Sequence, residues 1–166
     1  MSLSDSQYRD QFPMIRPYTI ENMWEPDLNE VVEIEKISGL NRWGFDAYRR
    51  ELLSNENSIL LVARNLAEDG PRVIGFFAGW TVEDELHVNN VASHPDYRRI
   101  GIGQKLMEAG VKIAERRGIT YVLLEVRASN ETAQLLYRKM GFSYVGRRRD
   151  YYRLPVEDAF VMKLEI

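Results

Sequence analysis

The sequence contains no cysteine among its 166 residues. This absence excludes disulfide bridges, thiolate-ligated zinc or iron–sulfur centres, and any enzyme mechanism that passes through a cysteine nucleophile. Histidine is also scarce, with two residues in the whole chain. We therefore predict no metal site, and an enzyme of this sequence must work without a thiol of its own.

Long hydrophobic runs are missing as well. The longest strongly apolar stretches, such as Val73–Trp80, are far too short to span a bilayer. The first ten residues contain neither the apolar segment nor the small-residue cleavage site of a secretory signal. We therefore expect a cytoplasmic protein that does not bind membranes.

Neither sign of charge dominates the chain. The 22 Lys and Arg residues face 25 Asp and Glu residues, for a net charge of −3, which argues against a DNA-binding protein. Apolar residues make up 45% and charged residues 28%, close to globular averages. The length then predicts a single domain over residues 13–166, preceded by a flexible tail over residues 1–12.

Hydrophobic periodicity divides the chain into helices and strands. Asp27 and Asn130 are the residue types that cap helix N-termini, and Gly39, Gly118 and Gly141 are typical of helix C-termini. The predicted helices cover residues 28–35, 45–53, 101–117 and 130–140. The predicted strands cover residues 14–18, 58–63, 73–80, 85–93, 121–126, 142–152 and 160–165.

The order of these elements predicts a mixed α/β fold with helices on both faces of one sheet. Strands 58–63, 73–80 and 85–93 follow one another closely and should form an antiparallel meander. A helical crossover joins strand 85–93 to strand 121–126, so this pair should be parallel. We expect strand 121–126 to be buried on both faces, and Pro17 favours a sheet edge for the first strand.

The turn over residues 97–103 lies between a strand and a helix. Gly101 and Gly103 allow close approach of the backbone to a ligand, and the following helix offers a positive N-terminus. Arg98 and Arg99 add forked donors for phosphate oxygens. The turn lacks the third glycine of a dinucleotide fingerprint and the Gly-Lys-Ser/Thr of a Walker loop. It predicts either a pyrophosphate site or a plain helix start with two solvated arginines.

Two side chains outside this turn are candidates for acid–base chemistry. Glu125 is a carboxylate inside a central strand. A carboxylate in such a place is rare without an ion-pair partner or a catalytic role. It could form an ion pair with Arg127 or with the run Arg147–Arg149, or it could act as a general base. Tyr137 lies on the inner face of its helix, which is typical of a core aromatic and also compatible with a proton donor.

Two segments carry a resemblance to a known family. Val91–Leu106 resembles the acetyl-CoA motif of the GNAT N-acetyltransferases, and Asn130–Phe142 resembles the second motif of the same family. The two occur in the family's order, and the resemblance covers residues 14–166. It implies a mixed, mostly antiparallel sheet that is splayed between its fourth and fifth strands, with about four helices on its two faces. It also implies acetyl-CoA as the cosubstrate.

The resemblance assigns a cofactor role to several positions. The backbone of strand 85–93 would pair with the pantetheine arm, and the amides of Arg99–Gln104 would hold the pyrophosphate. Asn130 would contact the cofactor arm, cap its helix, or do both. The cofactor-binding residues so implied are Val91, Ala92, Ser93, Arg98, Arg99, Gly101, Ile102, Gly103, Gln104, Asn130 and Tyr137.

The segment Leu123–Asn130 is similar to the RimI type within this family, bacterial enzymes that acetylate the N-terminal alanine of a ribosomal small-subunit protein. The resemblance implies that Glu125 is the general base and that Tyr137 protonates the leaving thiolate. Tyr151 and Tyr152 would overhang the peptide N-terminus, or serve as ordinary strand aromatics.

Trp43 resembles a tryptophan of the RimI acceptor wall, although both of its neighbours depart from that pattern. His87 is a rival base, since some members of the family place the base on the fourth strand. The run Arg147–Arg149 is either a solvated face or an attractor of an acidic peptide or ribosomal RNA.

Without cysteine, the implied reaction is a direct transfer in a ternary complex, with an N–H of the fourth strand stabilising the oxyanion. The acceptor would be a protein N-terminus, and we expect a monomer or weak homodimer. Two alternatives stay open: acetylation of a small amine, such as a polyamine, aminoglycoside or amino acid, and a non-catalytic module that binds acetyl-CoA.

Overall fold

The computed structural model describes residues 17–166. Over this range the chain forms seven strands and four α-helices, none of which has the length and apolar content needed to cross a membrane. In chain order the elements are β1 (Tyr18–Asn22), α1 (Leu28–Ile37), α2 (Phe45–Ser54), β2 (Ser58–Asn65), β3 (Val73–Val82), β4 (Glu85–Ser93), α3 (Ile102–Arg116), β5 (Tyr121–Arg127), α4 (Glu131–Lys139), β6 (Ser143–Arg153) and β7 (Val156–Glu165).

The strands form one mixed sheet in the order β1-β2-β3-β4-β5-β7-β6. Strands β2, β3 and β4 are the predicted antiparallel meander. Strands β4 and β5 are parallel neighbours, joined by the crossover through α3, and the other neighbouring pairs are antiparallel. The predicted mixed α/β architecture is confirmed.

The described part of the first strand covers Tyr18–Asn22, which extends beyond the predicted end at residue 18, and it does occupy the sheet edge next to β2. Pro17 has no N–H to donate to a partner strand, so the ladder with β2 starts after it, at the pair Tyr18 and Asn65. Residues 14–16 and the predicted tail over residues 1–12 lie outside the described residues.

Helices cover both faces of the sheet, and β2 shows how the two layers are divided. Its side chains alternate, with Leu61 and Ala63 packing in the cluster that contains α3. Leu60 and Val62 point to the opposite face and pack with α1 and α2. Because β2 is buried on both faces, its sequence is a continuous apolar run instead of an alternation of apolar and polar residues.

Strand β5 does not follow the prediction of burial on both faces. Val122, Leu124 and Val126 are buried, whereas the odd-numbered residues between them are only half-buried. The reason is the position of α1 and α2, which pack on β2 and β3 and leave this face of β5 uncovered. The side chain of Glu125 therefore keeps 19% of its surface exposed to solvent.

Asp27 stands at the N-terminus of α1, but its carboxylate does not cap that helix. The buried carboxylate accepts two hydrogen bonds of 3.0 Å from Arg64 and one of 2.9 Å from the Trp24 N–H. The guanidinium fork matches both carboxylate oxygens, and this charge-assisted pairing outcompetes an ordinary capping bond. The predicted cap role is wrong, and the pair instead ties the start of α1 to β2.

The contact between α3 and β3 generates the first prediction. A Cβ added at Gly110 of α3 would lie 2.7 Å from Cζ of Phe77, a fully buried ring. We expect Gly110→Ala to lower the free energy of unfolding by about 1–3 kcal/mol, because the core must shift to admit the methyl group. Urea unfolding measures the change.

The control is Gly103→Ala in the same helix, where the nearest atom to the added Cβ is 3.9 Å away. This variant should change the free energy of unfolding by no more than about 1 kcal/mol, the size of the helix-propensity difference. Equal or greater stability of Gly110→Ala relative to wild type would contradict the packing described.

Candidate active site

The two parallel strands at the centre of the sheet separate along their length. Pairing between β4 and β5 begins at Glu85 with Tyr121 and ends at Val88 with Leu124. Beyond that point β4 continues for five residues without a β5 partner. The backbone N–H and C=O groups that face β5 there need other hydrogen-bond partners, so the opening is suited to bind a polar extended ligand.

A β-bulge marks the start of this separation. Ala78 pairs with Asn90 and Gly79 pairs with Val88, so Asn89 is an extra residue in β4. One extra residue turns the following side chains to the opposite face of the sheet. Asn90 consequently points into the α1–α2 layer, where its Nδ2 donates to the Tyr48 hydroxyl at 2.8 Å.

A cavity of about 630 Å³ lies where β4, α3 and α4 meet. We call it the larger cavity. It contains every position that the resemblance assigned to cofactor binding, from the end of β4 through the turn over residues 97–103 to α4. Its lining residues are Ser38, Leu40, Val91, Ala92, Ser93, Arg98, Arg99, Gly101, Ile102, Gly103, Gln104, Asn130, Thr132, Ala133, Leu136 and Tyr137.

The N-terminus of α3 gives the larger cavity a positive end. Gly101 adopts a left-handed conformation with φ of 84°, and Arg99 does so with φ of 65°. No side chain caps α3 and no acidic residue lies in its first turn. The first N–H groups of the helix therefore need acceptors from outside it, and an anion such as a phosphate supplies them.

A second, smaller cavity of about 110 Å³ adjoins the first. Glu125 and Tyr137 both line it, together with the loop over residues 38–41 and the aromatic residues of β6. The two cavities share six residues, so they meet at the separation of the strands. The shared residues are Ser38, Leu40, Val91, Asn130, Ala133 and Tyr137.

Tyr137 stands at this junction on the inner face of α4. Asn130 caps the helix by accepting the Ala133 N–H at 3.1 Å, which confirms the predicted cap. Burial raises the pKa of the Tyr137 phenol to about 12, and no described residue takes a hydrogen bond from its hydroxyl. The phenol thus keeps its proton at neutral pH and has it available for a bound molecule.

Glu125 forms one of the ion pairs that the sequence left open, and its carboxylate also reaches a cavity. Its Oε1 lies 3.3 Å from Nε of Arg148, a member of the arginine run, while the carboxylate also lines the smaller cavity. Arg148 is 59% exposed, so the ion pair is weak and can give way to a ligand. Arg127, the other partner considered, pairs with Glu157 instead.

Tyr151 and Tyr152 both line the smaller cavity, next to a bulge in β6. Asp150 has a left-handed φ of 51°, and its N–H donates to Asp158 Oδ1 at 2.9 Å. Arg147 donates to the other carboxylate oxygen of Asp158. Asp158 therefore fixes the bulge that directs Tyr151 to the cavity.

Two sequence candidates lie away from both cavities. Trp43 stacks on Trp80 with ring centroids 5.3 Å apart and also packs against Tyr48, so it belongs to the aromatic cluster under α2. His87 lies on the uncovered face of β4, with Nε2 2.5 Å from an oxygen of Glu85. Neither contributes to the walls of the site.

The loop over residues 38–41, which lines both cavities, was not predicted from the sequence. Its only local signal was the glycine that ends α1. Thr132 and Leu136 of α4 were also missed, although their spacing of four residues places the two together on one face of the helix.

Residues 20–142 match the model of the Acetyltransferase (GNAT) family, which is more than half of the chain. The chain therefore belongs to this family, and the splayed mixed sheet described above is its fold. A phosphinothricin acetyltransferase from Sinorhizobium meliloti, solved in complex with AcCoA, has the same fold at a TM-score of 0.73 and 19% identity, covering 90% of this chain and 88% of that one.

Nearer relatives share about a third of their residues with this chain. The ribosomal protein bS18-alanine N-acetyltransferase of Escherichia coli is 34% identical over 89% of this chain and 97% of that protein. The N-alpha-acetyltransferase RimI of Mycobacterium tuberculosis is 34% identical over 89% of this chain and 92% of that protein. A crystal structure of the Escherichia coli enzyme has a TM-score of 0.77 and 31% identity, covering 90% and 94% of the two chains.

The contacts of Asp158 lead to a prediction about the β6 bulge. The Asp150 N–H and the Arg147 guanidinium lower the pKa of Asp158, so these bonds persist at neutral pH and are lost only as pH falls through the lowered pKa. Asp158→Asn removes the charge at nearly constant shape. We expect faster hydrogen exchange at the Asp150 amide, measured by NMR at pH 7.

Glu165→Gln is the matched control, because Glu165 lies in the same strand and is 86% exposed. This variant should leave exchange at the Asp150 amide unchanged. Unaltered exchange in Asp158→Asn as well would show that the carboxylate does not hold the bulge.

Proposed function

We propose that this chain is an acetyl-CoA-dependent N-acetyltransferase of the RimI type, which transfers the acetyl group to the N-terminal α-amine of a ribosomal protein. The observation that carries the proposal is the pair of cavities that meet at Tyr137, one suited to the cofactor and one to the acceptor. The similarity to RimI enzymes over almost nine-tenths of the chain supports the choice of acceptor.

The larger cavity suits acetyl-CoA through its unpaired backbone groups and its positive end. Val91, Ala92 and Ser93 expose backbone that β5 leaves unpaired, which suits the amides of a pantetheine arm. The uncapped N-terminus of α3, flanked by Arg98 and Arg99, suits the pyrophosphate. The cosubstrate supplies an activated acetyl thioester, so the protein has to provide positioning and proton transfer.

Glu125 and Tyr137 divide the proton transfers between them. An α-amine with a reference pKa near 8 arrives partly protonated and must lose a proton before it can attack. Glu125, at the wall of the smaller cavity, accepts that proton directly or through water. Tyr137, kept protonated by burial, donates a proton to the departing thiolate. The β4 backbone beyond the bulge offers N–H groups to the developing oxyanion.

The smaller cavity also bears on the acceptor. At about 110 Å³ it admits a small first residue such as alanine and leaves little space for a large one. The side of the sheet from which Glu125 and Arg148 extend is not covered by α1 and α2, so the rest of a protein chain can leave the site there.

Substitution of the two acid–base residues tests the mechanism. We expect Glu125→Gln to lower turnover about 100-fold below pH 8, with a smaller loss above it, because there the amine deprotonates without help. Tyr137→Phe should lower turnover by a similar factor at all pH values and leave acetyl-CoA binding intact. CoA release from pH 6 to 9.5, with calorimetry for binding, measures both.

Glu165→Gln and Tyr144→Phe are the matched controls, since both side chains are largely exposed and line neither cavity. Their turnover should equal that of wild type. Wild-type turnover in both Glu125→Gln and Tyr137→Phe would remove the catalytic assignment.

A substrate panel tests the acceptor class. We expect mass spectrometry to detect one acetyl group on the α-amine of a peptide that begins Ala-Arg, and none on the same peptide with a blocked N-terminus. Transfer to polyamines, aminoglycosides or amino acids but to no peptide would replace the proposal with a small-amine acetyltransferase. Acetyl-CoA binding without transfer to any amine would indicate a non-catalytic module.

A further inference from the structure

The smaller cavity is lined by the loop over residues 38–41, by β4, by the end of β5, by α4 with its cap residue, and by β6. Two of these parts, the loop and the β6–β7 hairpin with Tyr151 and Tyr152, form two walls that are distant in sequence. Neither the loop nor the hairpin tip belongs to a helix, and their separation sets the width of the cavity. The side chain of Arg127 lies between them.

Arg127 uses all five of its N–H donors on these two walls. Nε and Nη2 donate to the Gly39 carbonyl at 3.2 and 2.9 Å. Nη2 also donates to the Leu154 carbonyl at 3.2 Å, and Nη1 donates to the Pro155 carbonyl and to Glu157 Oε2, each at 3.2 Å. One guanidinium therefore joins the loop to the hairpin tip with no donor left over.

Further contacts hold this guanidinium in place. Its Cζ lies 4.1 Å from the ring centroid of Tyr152, a cation–π arrangement, and the Tyr152 hydroxyl donates to the Glu125 carbonyl at 3.3 Å. The other oxygen of the Glu157 carboxylate, Oε1, accepts the Ser129 N–H at 2.6 Å. Through this carboxylate, Arg127 is also linked to the segment that precedes α4. The Arg127 side chain is only 16% exposed, so solvent competes weakly for these bonds.

We propose that Arg127 is a positioning residue that fixes the width of the smaller cavity and thereby determines which first residue of the acceptor fits. Its planar guanidinium donates to three backbone carbonyls and one carboxylate, and a lysine ammonium at this position has too few donors and the wrong shape to do so. Without the bridge the loop and the hairpin tip can separate, and the cavity admits larger side chains. The specificity part rests on the proposed function above.

Arg127→Lys is the main test, because it keeps the positive charge and removes the fork. We expect amide hydrogen exchange to rise at least tenfold in residues 38–41 and at the hairpin tip, with exchange in α3 unchanged. The KM for an Ala-initiated peptide should rise about tenfold, with kcat and the KM for acetyl-CoA within twofold of wild type. The ratio of kcat/KM for Ala- over Met-initiated peptides should fall about tenfold.

Arg117→Lys is the matched control. Arg117 also donates to three backbone carbonyls, those of Glu56, Asn57 and Ser58, at 3.4–3.5 Å, but it lines neither of the two cavities described above. Its substitution should leave hydrogen exchange in the loop and the hairpin unchanged. The KM for the Ala-initiated peptide and the ratio of kcat/KM for Ala- over Met-initiated peptides should also stay unchanged. Glu157→Gln, which preserves the arginine, is a second variant in case Arg127→Lys folds poorly, and it should increase exchange at the hairpin tip more than in the loop.

The outcomes separate this proposal from the proposed function. Unchanged exchange in the loop and hairpin of a folded Arg127→Lys, or of Glu157→Gln in its place, would overturn the bridge. Raised exchange with an unchanged peptide ratio would overturn its role in specificity. If wild type acetylates no peptide, the proposed function fails, and the exchange measurement, which needs no acceptor, still decides whether Arg127 holds the two walls together.

Discussion

The separation of β4 from β5 after Val88 and Leu124 is the constraint on which the site depends. Two parallel strands that stayed paired would satisfy each other's backbone and close the centre of the sheet. Because they part, the sheet itself provides unpaired donors and acceptors, and the cavities form on either side of the opening. The bulge at Asn89 contributes by turning the following residues of β4, so that Asn90 anchors the strand to the α1–α2 layer.

The periodic parts of the sequence predicted the fold well. Helices with a clear apolar stripe and strands with a continuous apolar run lie close to their predicted places, because those patterns record which faces are buried. The prediction for Asp27 was wrong because it depended on a single local signal, and a longer-range partner, the ion pair with Arg64, prevailed.

The parts of the site that are continuous in sequence were predicted, and the parts that the fold assembles from distant residues were not. The turn over residues 97–103 and the capped start of α4 are continuous segments, so a motif could reveal them. The loop over residues 38–41 and Arg127 belong to the same site only because the fold brings residues 88 positions apart into contact. Trp43 shows the opposite case, a residue whose type suggests a site but whose half-buried ring packs with Tyr48 and Trp80 against the core.

The two cavities share an inner junction but have different outer walls, one formed by the turn before α3 and the other by the β6–β7 hairpin. In the proposed reaction each reactant therefore has a cavity of its own, and neither has to vacate a common position for the other. A chain without cysteine cannot hold an acetyl group as an acetyl-cysteine between substrates, and in the proposed reaction this arrangement removes the need for that intermediate.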